Sequence, residues 1–142
     1  TQNRINLLFL QQAHKGELSA AQGRPNCYSL RLSDMKPSVL YFTDQPKRET
    51  GRITLNQFLT LWYHNDKQYG ISPNVAVEAM LALSHNNQEI SFVATLSKPI
   101  YNRQSQTLTY TACPLQKGTK IKSPMKLKNV TLFVDPFHPW PP

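Results

Sequence analysis

The residues that could do chemistry in this 142-residue chain are four histidines, two cysteines, eight acids and a dense basic stretch after Asp44. Catalysis needs such groups at fixed offsets, and the offsets are missing. There is no Gly-x-Ser-x-Gly elbow, no His-Glu-x-x-His, no Gly-rich phosphate loop and no Cys-x-x-Cys. His14, His64, His85 and His138 stand singly among loop-type residues, away from metal-ligand spacing. The sequence calls for no cofactor and no metal, and the enzymatic reading is disfavoured. Asp44 is the best placed single acid. It follows the apolar run Ser38–Thr43 and precedes Pro46, where its carboxylate suits an Asx-type turn that fixes the exit of a strand. Lys47, Arg48 and Arg52 lie within reach of it or of Glu49. Ligand binding at Asp44, Pro46 and Arg48 is the second use of this turn. Acid/base catalysis is the weakest, because no second carboxylate or histidine recurs at a fixed offset.

Three further features bear on contacts rather than catalysis. Cys27 and Cys113 allow a single intramolecular pairing. Both fall on the polar parity of their runs, Cys27 with Ser29 and Arg31, Cys113 with Thr109 and Thr111. Free and joined thiols are both open, and in an oxidising compartment the bridge is the safer state, with roughly 4 kcal/mol from loop closure in the entropic account. Lys117, Lys120, Lys122, Lys126 and Lys128 form an acid-free run. A solvated loop or charge-protected edge strand is the plain reading, and a contact with an anionic surface is the sharper one. Nucleic acid is disfavoured, since the lysines are not interleaved with aromatics. The Pro-rich tail 135–142 carries Phe137 and Trp140 and is expected to leave the sheet, either laid over the domain or docked on a partner.

The elements that must position these residues are mostly strands. Residues 5–10 form a short apolar run, and residues 14–25 read as a polar connector. Tyr28, Leu30 and Leu32 alternate with polar neighbours, as in a half-buried strand. Residues 38–43 make a second strand, followed by a basic loop at 47–52. Thr54 with Gln57 forms a capping box, and Leu55, Phe58, Leu59 and Trp62 repeat at helical spacing, so one short helix is expected over about residues 54–64. Strand character returns at 75–83, 90–96, 107–113 and 130–134, with Asn86-Asn87 and Asn102-Arg103 as turns. The expected fold is mainly β, a single-domain antiparallel β-sandwich or partly open barrel of about seven strands with one short helix.

Totals agree. The chain has the size of one domain, 1–142, and buries enough surface to be stable without metal. Hydrophobic residues make up 39% and charged residues 17%, with eleven prolines against five glycines, which favours short extended segments over long helices. Sixteen Lys and Arg against eight Asp and Glu give +8. No stretch approaches the length of a transmembrane helix. The start at Thr1 is read as a signal peptide removed by processing.

In this order the chain resembles a family of small bacterial exported proteins, as yet without an assigned activity. Typical members read an apolar LLFVQTA, a LTLxGVxPxxxYFSDRPxRxxG core, a short helix ending in Trp, PPNAxL, a LxxPxxxxxxLTYxV hairpin and a terminal SLFIDPF. The matching segments here are Leu7–Ala13, Leu30–Gly51, the helix to Trp62, Pro73–Ala76, Leu96–Tyr110 and Thr131–Phe137. The resemblance spans nearly the whole chain and implies the β fold and export to the periplasm or the extracellular space. Two departures stand out. Ser-Asp-Arg-Pro becomes Thr43-Asp44-Gln45-Pro46, which removes an arginine beside the aspartate, and members are often acidic whereas this chain is basic.

The resulting expectation is a non-enzymatic exported domain acting through protein contacts, as an accessory subunit of a cell-envelope or secretion assembly. The competing expectation is a small-molecule or glycan-binding domain, or a weak hydrolase, with a site near Asp44 and Trp62.

Overall fold

The computed structural model describes residues 7–43, 47–63, 76–116 and 121–140, the last five and residue 63 by their backbone alone. Eight strands and one helix follow in the order β1 (Leu7–Ala20), β2 (Tyr28–Met35), β3 (Ser38–Thr43), β4 (Glu49–Thr54), α1 (Leu55–Tyr63), β5 (Ala76–His85), β6 (Gln88–Asn102), β7 (Thr107–Pro114) and β8 (Met125–Trp140). All pairings are antiparallel. They run β2-β7-β6-β5-β8-β1-β3-β4, and an additional β2–β1 pairing closes six of the strands into a ring.

β1 makes the closure possible. One of its edges pairs with β8 from Phe9↔Val134 to Leu18↔Met125. Its other edge pairs first with β3, Leu7↔Thr43 to Leu10↔Leu40, and then with β2, Ala13↔Met35 to Ala20↔Tyr28. β2 and β3 therefore lie end to end along one strand, with a bend at Lys36-Pro37 where the amide of Lys36 donates to the Gln12 carbonyl at 3.1 Å. Beyond the bend β2 pairs onward with β7 into the barrel, while β3 pairs with β4 as a two-stranded flap.

Corners come from residues that tolerate unusual backbone. Asn86 and Asn87, at φ 50° and 64°, make the two-residue turn between β5 and β6. A bulge between Ser97 and Ile100 holds Lys98 at φ 52° and admits Pro99 into β6 without breaking the ladder. Asn129, also at φ 52°, marks the register shift of β8 against β5.

Alternate residues of the ring fill its interior. Phe9, Leu18, Leu30, Leu32, Leu81, Leu96, Leu108, Tyr110 and Leu132 are all buried, and a ring of this size is packed solid by such side chains. α1 contributes Leu55, Phe58, Leu59 and Trp62 to the same core. Phe58 meets Phe9 edge-on at 4.9 Å, and Trp62 links Phe58 and Tyr110, each at 5.8 Å. The helix thus seals the barrel through a chain of four aromatic rings. It starts as its sequence dictates: Gln57 N–H donates to Thr54 Oγ1 at 3.0 Å, and Thr54 N–H donates to Gln57 Oε1 at 2.8 Å.

Several expectations are corrected. Residues 14–20 are not a connector, since they continue β1 and pair on both edges. The basic loop is a strand from Glu49 onward. Ile53 points to the core side there, and Tyr41 lies across Gly51, where an added Cβ would fall 2.5 Å from the Tyr41 Cζ. The tail does not leave the sheet at 135: the backbone of β8 continues to Trp140, with Val77↔Pro139 and Ala76↔Trp140 after a register shift. The bulge between Glu78↔Asp135 and Val77↔Pro139 absorbs the residues around Pro136, whose missing N–H would break a regular ladder.

Candidate functional site

Cys27 and Cys113 are joined, with Cα atoms 4.3 Å apart. Cys27 precedes Tyr28 and Cys113 follows Ala112 in the antiparallel Tyr28↔Ala112 pair, so the bridge staples the β2–β7 seam where the first hairpin meets the β5-β6-β7 meander. Asp44 and Pro46 lie outside the described residues. Arg48, beside them, is exposed. Thr43 closes this turn from the other side: its hydroxyl donates to the Lys47 carbonyl at 2.8 Å and accepts from the Glu49 amide at 3.1 Å.

Trp62, the expected wall of a small-molecule site, has no exposed surface and packs between Phe58 and Tyr110. It belongs to the core. A cleft of about 490 Å³ opens at the start of α1 between Lys36, Tyr101, Arg103 and Gln106. Of its lining residues, Thr54 already has its amide held by Gln57 Oε1 in the capping box. No three His, Cys, Asp or Glu gather among the described residues. His85 Nδ1 lies 2.7 Å from the Lys126 carbonyl, which ties the end of β5 to β8.

Of the lysine run, Lys117 and Lys120 lie outside the described residues. Lys122 is exposed in the segment before β8, and Lys126 and Lys128 are exposed on the outer face of β8. In register they stand beside Glu17 and Lys15 of β1, and Glu17 in turn pairs with Arg31 at 3.4 Å. These lysines therefore decorate the wall at one end of the strands. Phe137 and Trp140 are placed by their backbone in β8, beside β5.

The other end of the same wall carries a feature that the sequence did not disclose. Because Phe9, Val39, Ala79, Leu81, Leu132 and Val134 point inward, their neighbours point out. The pairings Val93↔Met80, Met80↔Phe133, Phe133↔Leu10 and Leu10↔Leu40 line up one apolar row across five strands. Leu8↔Phe42 extends it by a second row. Met80 is 44% and Phe42 37% exposed, and the others are half-buried. Four inter-strand steps make the row roughly 19 Å long at the usual strand spacing. It ends at Arg52, the partner of Leu40 on β4, near Lys36, and at the other side at Val93 on β6, whose carbonyl accepts from the Leu115 amide at 3.0 Å. Glu78 and Asp135 stand paired in the next row beside Met80 and Phe133. Among the described residues the remaining large exposed apolar one is Ile100, on the β6–β7 wall opposite Thr109.

Comparison of the chain with protein-family models, curated proteins and solved structures gives no match. The class that fold and surface define is an antiparallel β-barrel sealed by a helix and carrying an apolar outer wall.

Proposed function

We propose that this chain is a non-enzymatic contact domain, exported as its resemblance to a family of small bacterial exported proteins implies, and that it serves as an accessory part of a cell-envelope or secretion assembly. The observation that carries the reading is the apolar row on the outer wall. Water-facing strands normally alternate apolar-in and polar-out, whereas β1 turns Leu7 and Phe9 inward with Leu8 and Leu10 outward, and β3 turns Val39 inward with Leu40 and Phe42 outward. The row is contiguous and rimmed by polar and charged residues, with Met80 and Phe42 exposed, and contiguity is what separates an interaction surface from singly scattered surface hydrophobics. The Cys27–Cys113 bridge supports a life in an oxidising compartment, and no described helix is long and apolar enough to cross a membrane. The fully buried Trp62 weighs against a small-molecule or glycan site between it and Asp44.

Photoreactive side chains introduced at Met80, Phe42 and Ile100 in cells test this. Discrete cross-linked adducts from positions 80 and 42, and none from 100, are the expected result. Equal labelling at all three positions, or none at 80 and 42, refutes the contact reading.

A further inference from the structure

We propose that the basic end of the β8-β1-β2 wall docks on an anionic lipid surface. The observation that carries this is a pair of like charges set side by side. Lys15 of β1 stands directly opposite Lys128 of β8 in the ladder, both exposed, at a position where Cβ atoms lie roughly 5 Å apart. Lys126 and Arg31 follow one step along the same face, on either side of Glu17. Arg24 and Lys122 extend the patch beyond the strand ends, where residues 20–28 and 121–123 line a shared cleft and both of these side chains are exposed. Six cations from four segments thus converge, although sequence order shows only the run before β8. Acids do not balance them. Glu17 pairs with Arg31 at 3.4 Å, Asp34 lines the cleft at the start of α1, and Glu89 stands two strands from Lys128, across Ser84. Opposed like charges cost stability in a sheet, and a layer of negative charge laid over them offsets that cost.

The form of the patch selects the partner. Lys15, Arg31, Lys126 and Lys128 lie exposed on an outer wall three strands wide, roughly 10 Å, which fits a plane of headgroups, whereas a small anion needs a concave site to enclose it. Four of the six cations are lysines, compact point charges without the fixed fork by which arginine reads a carboxylate, and they suit a diffuse field. Their neighbours in the two rows are Ser33, Ser84 and Thr109, so nucleic-acid bases find no stacking platform there. Clusters of about four to eight cations are of the size that holds to an anionic leaflet. The inference uses none of the apolar row and stands apart from the contact reading.

Flotation of the purified, oxidised chain with lipid vesicles tests it, with circular dichroism confirming that each variant is folded. The expected results are binding to phosphatidylcholine vesicles that contain about 30% phosphatidylglycerol at about 50 mM salt, loss of that binding at about 500 mM salt, and none on pure phosphatidylcholine. Lys15→Gln and Lys128→Gln each lower the partition coefficient about fivefold and the double variant about 25-fold. Lys98→Gln, which removes the same charge from the exposed β6–β7 wall, leaves it unchanged. A chain that does not bind the anionic vesicles, equal losses for Lys98→Gln and Lys128→Gln, or tighter binding to duplex DNA than to the vesicles overturns the proposal. Any of these leaves the contact reading standing, since cross-linking from positions 80 and 42 decides that separately.

Discussion

Replacing Phe58 by alanine asks whether the helix seals the barrel or merely rests against it. Phe58 has no exposed surface and meets two rings, Phe9 at 4.9 Å and Trp62 at 5.8 Å. Truncating a buried phenylalanine costs about 3–5 kcal/mol, a figure that includes the cavity left behind. The edge-on contact with Phe9 supplies about 0.5–1.5 kcal/mol of that beyond area burial. Against a total of roughly 7–20 kcal/mol for a chain of this length the loss is severe without abolishing the fold. It corresponds to a fall in Tm of about 6–20 °C. The assay is urea unfolding followed by circular dichroism, in a double-mutant cycle with Phe9→Leu to isolate the ring–ring part. Asn56→Ala, on the exposed face of the same helix, serves as control and changes stability by less than about 0.5 kcal/mol. A cost below about 1.5 kcal/mol for Phe58→Ala, or strict additivity with Phe9→Leu, refutes the view that α1 is part of the barrel core.

Tyr110→Phe removes the hydroxyl that donates to the buried Gln11 Oε1 at 2.6 Å and costs about 1–3 kcal/mol, whereas Tyr110→Phe/Gln11→Met, which removes the stranded amide as well, recovers most of the loss in the same unfolding assay. A double variant no more stable than the single one shows that satisfaction of Gln11 is not what the pair provides. Cys27→Ala/Cys113→Ala, which opens a link of 86 residues, lowers stability by about 2–5 kcal/mol, and an unchanged denaturant midpoint refutes the stapling role of the bridge.

Much of the fold is legible in the residues. Thr54 and Gln57 announce the helix start, and Leu55, Phe58, Leu59 and Trp62 announce its buried face, because capping and 3.6-residue spacing are local properties. The parity of Cys27 and Cys113 put both on the polar side of their runs and left a bridge open, and the structure joins them where Cys27 precedes β2 and Cys113 lies in β7; that β2 and β7 are neighbours was not legible. The long ends of β1 and β8 were not legible. Their residues 14–20 and 135–140 are polar or proline-rich, and their strand state is imposed by partners far away in sequence. β4 was hidden for a related reason, since Gly51 lowers strand propensity and only the ring of Tyr41 laid across it restores the packing. The outer apolar row was invisible for the opposite reason. LLFL and VLYF are apolar at every position, so alternation gives no clue to which side chains face out, and the row exists only once five strands are in register. Asp44, the acid that stands out in the sequence, lies outside the described residues, and its role remains a sequence-based expectation.

The pairing of β1 with β8 also sets a clock. Phe9 finds Val134, and Leu18 finds Met125, so the barrel wall cannot close until nearly all of this stretch of chain is available. Contacts of such high sequence separation make folding slow, because loop-closure entropy is spent before any reward arrives. Until then β1 offers a bare edge and two apolar faces, the kind of surface that aggregates or recruits a chaperone. A chain built this way is suited to a route in which it is kept unfolded, delivered whole and then allowed to close all at once.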